Sequence, residues 1–136
     1  MKMPLSALSV CCFSLLSLGA IASQSDAVKL EHPGDTALSE DAPGKYVYKS
    51  FPTLFRLYVY DKDGSGKSNC TGGCASAWPP LRVSPSEKSP VGDWIIIQRD
   101  DGSKQWAYKK HPVYIRFHDI DPDADSEKEG FHLLVP

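Results

Sequence analysis

Cys70 and Cys74 stand four positions apart in the glycine-rich run Ser68-Asn69-Cys70-Thr71-Gly72-Gly73-Cys74. Two thiols at that spacing can close a disulfide, cycle as a redox couple or ligate a soft metal. In an oxidising compartment an even pair is most simply a disulfide. A loop this short contributes only about 2 kcal/mol by the chain-entropy argument, so the bond would pin a loop rather than create a fold. The spacing is not the C-x-x-C of thioredoxin-like proteins, and no βαβ pattern surrounds it. Copper(I) would accept both thiolates and one histidine, for which His111 and His118 are the candidates; neither has zinc-type local spacing to the cysteines. A periplasmic copper- or zinc-binding protein, or a thiol redox protein, is therefore the alternative functional reading.

Carboxylates offer a second chemistry. Asp61, Asp63, Ser65 and Gly66 imitate the first half of a calcium loop, but Gly72 stands where the loop needs a bidentate glutamate. Gly64-Ser65-Gly66-Lys67-Ser68 superficially matches a phosphate loop, yet Asp61 occupies the position of its first glycine. There is no G-x-S-x-G elbow and no H-E-x-x-H. Asp63 and Asp119 would be the paired carboxylates of a hydrolase if their two segments converge; capping a turn is the commoner use of such an aspartate. No catalytic residue and no cofactor is assigned on this basis.

The elements that must position these groups are strands. Phe55, Leu57 and Val59 alternate with Tyr58 and Tyr60, so Leu54 to Tyr60 reads as a strand closed by the Asp61 to Gly66 turn. A short helical turn over Ala75 to Trp78 ends at Pro79-Pro80. Trp94 to Gln98 and Lys104 to Tyr108 flank the loop Arg99-Asp100-Asp101-Gly102-Ser103, the pattern of a β-hairpin. Pro112 to Phe117 is a further strand, Asp119 to Gly130 an acidic loop and Phe131 to Val135 a closing strand. The expected class is mainly β: a small single domain of antiparallel hairpins with at most a short helical turn after the cysteine pair. Most of Tyr58, Tyr60, Trp78, Trp94, Trp106, Tyr108 and Tyr114 should fill its core. Alternation nevertheless sets Tyr58 with Tyr60, and Trp106 with Tyr108, so one face is a candidate stacking platform for a glycan, a peptide or another ligand.

A faint internal echo places a tyrosine five residues before an aspartate twice, Tyr58 with Asp63 and Tyr114 with Asp119. Together with the cysteine run, Trp78-Pro79-Pro80-Leu81, Arg99-Asp100-Asp101-Gly102 and Gln105-Trp106-Ala107-Tyr108, these residues resemble a bacterial family of secreted repeats or predicted lipoproteins with a Y-x-(F/W/Y)-x-x-D motif. The resemblance covers roughly Leu54 to Pro136 and implies an exported protein; the family's function is unknown. Tyr58, Tyr60 and Asp63 fit the motif, whereas Arg116 replaces the aromatic of the second copy.

The N-terminus agrees with export. Lys2 precedes the apolar, uncharged run Leu5 to Ile21, and Ala20-Ile21-Ala22 offers a small-x-small cleavage site, so residues 1–22 read as a signal peptide. Val10 before Cys11-Cys12 breaks the small-residue pattern of a lipoprotein signal, which argues against lipid anchoring. Removing 22 of the 136 residues leaves 114, one domain's worth, with residues 23–44 expected as a flexible leader and 45–136 as the β domain. Losing Lys2 moves the formal charge from −2 to −3, so no basic surplus exists for nucleic acid, and cleavage leaves no transmembrane span. The composite expectation is an exported, periplasmic or secreted, non-enzymatic module that binds an envelope ligand or protein.

Overall fold

The computed structural model describes residues 30–116 and 126–136. The expectations for the signal peptide, for His118 and Asp119, and for most of the acidic loop lie outside the described residues. Among the described residues, seven strands form two antiparallel sheets, β1 (Thr36–Ala42) with β2 (Lys45–Ser50), and a five-stranded sheet in the order β4-β5-β6-β3-β7. The latter contains β3 (Leu57–Tyr60), β4 (Trp94–Gln98), β5 (Lys104–Tyr108), β6 (His111–Ile115) and β7 (Phe131–Leu133). A short helix, α1 (Gly73–Ala77), follows the first cysteine, and a 3₁₀ turn spans Glu127–Glu129. The mainly β class expected from strand alternation is thus the observed one.

The 94–108 hairpin forms with Trp94 opposite Tyr108 and Gln98 opposite Lys104. Its loop turns at Gly102, φ 81°, a left-handed conformation that a side chain would strain. The two echoed segments, β3 and β6, pair directly, with Tyr58 opposite Tyr114. Because the pairing is antiparallel, the C-terminal end of β6 lies beside the start of β3, away from the Asp63 turn.

Both faces of the five-stranded sheet are covered, and the two-residue period of its strands divides the core accordingly. Leu57 and Val113 point to one cluster, which includes Tyr48, Leu81, Trp94, Trp106, Tyr108 and Leu134. Tyr58 and Tyr114 point to the other, with Cys70, Trp78 and Phe131. The first cluster is closed by the β1–β2 sheet, whose Tyr48 is fully buried edge-on against Trp94 with ring centroids 5.1 Å apart.

Order begins earlier than Lys45. β1 lies within the stretch expected as a flexible leader and pairs along its length with β2, from Thr36 opposite Ser50 to Ala42 opposite Lys45. The cause is tertiary: Leu38 packs on the core, and Asp35 Oδ2 accepts hydrogen bonds from Trp106 Nε1 and from the Ser84 backbone N–H, each 2.8 Å long. A segment poor in strand-forming residues is held by partners distant in sequence.

Candidate functional site

The aromatic side chains proposed as a platform are core. Tyr58, Trp106 and Tyr114 are fully buried, Trp78 and Tyr108 nearly so, and Tyr60 is half-buried. Around the second cluster they form one continuous stack: Tyr60 lies parallel to Phe131 at 4.3 Å, Phe131 parallel to Trp78 at 3.9 Å, and the Arg116 guanidinium 4.9 Å from the Trp78 centroid on β6's exit. Arg116, the departure from the second motif copy, therefore supplies a flat cation where the first copy has the ring of Tyr60. Trp78 Nε1 donates to Glu129 Oε2 at 2.6 Å, which fixes the ring from its polar edge.

Behind this stack runs a buried polar chain. Tyr114 donates its hydroxyl hydrogen to Asp63 Oδ2 at 2.7 Å, and the Asn69 backbone N–H donates to Asp63 Oδ1 at 2.7 Å. Tyr114 Oη also lies 2.7 Å from Ser68 Oγ, which in turn accepts from Arg99 Nη1 at 2.9 Å. Since the Tyr114 hydrogen is committed to Asp63, Ser68 must donate to Tyr114, and the chain has one direction: Arg99 to Ser68 to Tyr114 to Asp63. A cation and an anion thus terminate a relay of two hydroxyls, an order that strengthens each link.

Burial pushes the Asp63 carboxyl above its ordinary range, while the bonds from Asn69 and Tyr114 and the field of Arg99 pull it back. Burial likewise raises the Tyr114 phenol, so the donor keeps its proton. Both oxygens of Asp63 are engaged by donors of the chain itself. This is the geometry of a turn clamp tying the β3 turn to β6; Asp119, its proposed partner carboxylate, lies outside the described residues.

Cys70 and Cys74 are bonded to each other, with sulfurs 2.03 Å apart. The bond ties the loop before α1 to the second residue of the helix, and the N-cap Gly72 between them sits at φ 57°. As a disulfide the pair presents no thiolate to a metal. His111 is exposed at the start of β6, and among the described residues no group of three or more His, Cys, Asp or Glu side chains could hold a metal ion. Asp61, the first oxygen of the calcium-like turn, lies 2.8 Å from His132 Nε2.

The residue that the motifs do not announce is Arg99, the first residue of the hairpin loop. It is only 8% exposed, and it holds three neutral acceptors: Ser68 Oγ, Gln105 Oε1 at 2.7 Å and the Cys70 carbonyl at 2.7 Å. Gln105, fully buried on β5, passes the connection on to the Val113 carbonyl of β6. Arg99 thereby ties the hairpin loop to the disulfide loop. Its available signal was the adjacency of an arginine to an acidic glycine loop, which by itself reads as an exposed turn.

Arg99 and Ser68 lie at the inner wall of an open cleft of about 650 Å³. Phe51 and Thr53 from the β2–β3 connection form one side, Thr71, Gly72 and Ser76 of the disulfide segment another, and Pro79, Pro80 and Ile115 an apolar wall. Asp100 and Asp101 of the hairpin loop and the exposed Arg82 complete the rim. None of the platform aromatics lines this cleft.

Among the described residues, no helix is long and apolar enough to cross a membrane. No curated protein and no solved structure matches the chain. A family model does match residues 56–82, the window that carries β3, the Asp63 turn, the disulfide, α1 and Trp78. Over that window the chain is similar to a secreted repeat of unknown function.

Proposed function

We propose that the protein is an exported, non-enzymatic binding module of the cell envelope whose residues 1–22 are removed as a signal peptide, and that its ligand occupies the cleft beside Arg99. The observation that carries this reading is the cleft itself. Its volume of about 650 Å³ falls within the range of small-molecule sites, and its lining joins an apolar wall to a few fixed polar groups. Its walls come from three pieces of chain, each held in place: the β2–β3 connection through Ser50, the disulfide segment through Cys70–Cys74, and the hairpin loop through Arg99, which bonds to the disulfide segment. Pre-formed walls lower the ordering cost of binding.

The test is a titration of the isotopically labelled, exported protein with anionic, cationic and neutral small-molecule fragments, read by backbone amide shifts. Shifts concentrated on Phe51, Ser68, Thr71, Ser76 and Arg99 for at least one charge class are expected. Fragments of every class leaving these amides unmoved would overturn the assignment.

A further inference from the structure

We propose that Arg99 is the anion receptor of this cleft, and that the ligand carries a terminal carboxylate on an apolar body. The inference rests on the cleft being the binding site and adds the chemical class of what it holds.

A guanidinium has five N–H donors in one plane. Arg99 spends both hydrogens of Nη1, on Ser68 and Gln105, and one of Nη2, on the Cys70 carbonyl. The Nε hydrogen and the second Nη2 hydrogen meet no acceptor among the described residues. Two donors on neighbouring atoms of a planar group match the two oxygens of a carboxylate.

Charge points the same way. The buried guanidinium is held by neutral acceptors, with none of these hydrogen bonds going to a carboxylate, which leaves a countercharge in direct contact favourable. Every carboxylate on the cleft is directed elsewhere: Asp35 to Trp106 and Ser84, Asp100 to Lys67, Asp101 to Ser103. Asp63 is reached only through two hydroxyls. One buried cation balances one negative charge, which suits a monoanionic carboxylate better than a phosphate dianion. The remaining wall, with Pro79, Pro80 and Ile115 and the 57% exposed Phe51 at the mouth, is suited to hydrocarbon.

Hexanoate, its neutral isostere hexanamide, acetate and inorganic phosphate separate these elements. In the wild-type protein, hexanoate should shift the Arg99 Nε–H resonance together with the cleft amides. Hexanamide should bind weaker by about tenfold or more, the worth of a charge-assisted hydrogen bond. Phe51→Ala should weaken hexanoate and leave acetate unchanged, and Arg99→Lys should weaken both. Should Arg99→Lys not fold, the wild-type Nε–H signal still decides. An Nε–H signal indifferent to hexanoate overturns the receptor assignment. Hexanamide binding as tightly as hexanoate overturns the carboxylate while leaving the cleft a binding site, and phosphate binding more tightly than hexanoate overturns the choice of monoanion.

Discussion

The phenol of Tyr114 and the carboxylate of Asp63, 51 positions apart, meet at 2.7 Å, so the tyrosine of the second echoed segment closes the turn of the first. The two segments are consequently one structural unit. Their strands pair with Tyr58 opposite Tyr114, and the Tyr114 side chain reaches across to the aspartate of the first segment.

Removing that phenol tests the unit. Tyr114→Phe keeps the buried ring and its edge contact with Phe131, and deletes the link between Ser68 and Asp63. Ser68 loses an acceptor and Asp63 a donor in a buried setting, so the expected loss is about 1–3 kcal/mol of unfolding free energy. Urea unfolding measures it; an unchanged midpoint would show that the relay carries no stability.

Asp63 predicts a pH dependence whose sign follows from its raised carboxyl. Its folded-state pKa lies above the unfolded value, chiefly through burial, so the native state binds the proton more tightly. The Asp63 contribution is therefore fully present below the unfolded carboxylate pKa and is lost as pH rises through the folded one. Tyr114 can donate to either form of the acid. Unfolding free energy measured across the carboxylate range should fall with rising pH by a component that Asp63→Asn abolishes. The opposite slope for that component would mean that the bonds from Asn69 and Tyr114 outweigh burial.

The disulfide should be a clip and not the foundation of the fold. Cys70→Ala combined with Cys74→Ala should lower stability by about 2 kcal/mol, the chain-entropy value for so short a loop, and leave the β-sheet spectrum intact. The Cys70 carbonyl would still be free to accept from Arg99, but on a looser loop. Mass spectrometry of the exported wild type with and without reductant should show the two-hydrogen difference of one bond; free thiols with bound copper or zinc would restore the metal reading.

How far the fold was legible depended on where the determining contacts lie. The 94–108 hairpin could be read because alternation, β-branched residues and a glycine loop sit within fifteen residues. The division of Leu57 from Tyr58 and of Val113 from Tyr114 follows from the same two-residue period. Arg99 could not be read that way, since an arginine in an acidic turn is ordinarily exposed and its burial depends on Ser68, Cys70 and Gln105 arriving from other segments. For the same reason the cleft is absent from any motif: its walls join residues from Asp35 to Ile115.

Thr36-Ala37-Leu38-Ser39-Glu40-Asp41-Ala42 shows the same limit and yields the final prediction. Nothing in its composition favours a strand, yet it covers β2, and Asp35 before it takes the Trp106 indole N–H. A chain beginning at Lys45 should lose both: β2 would keep an unpaired edge, Leu38 would leave the cluster, and Trp106 Nε1 would be buried without its acceptor or drawn toward water. A chain beginning at Leu30 retains all of these contacts. The shorter chain is expected to unfold at lower urea and to show a more solvent-exposed tryptophan fluorescence, and Asp35→Ala in the longer chain to reproduce part of the shift, about 1–3 kcal/mol for an orphaned buried donor. Equal stability of the two chains would return residues 30–44 to the status of a leader and remove Asp35 from the determinants of the fold.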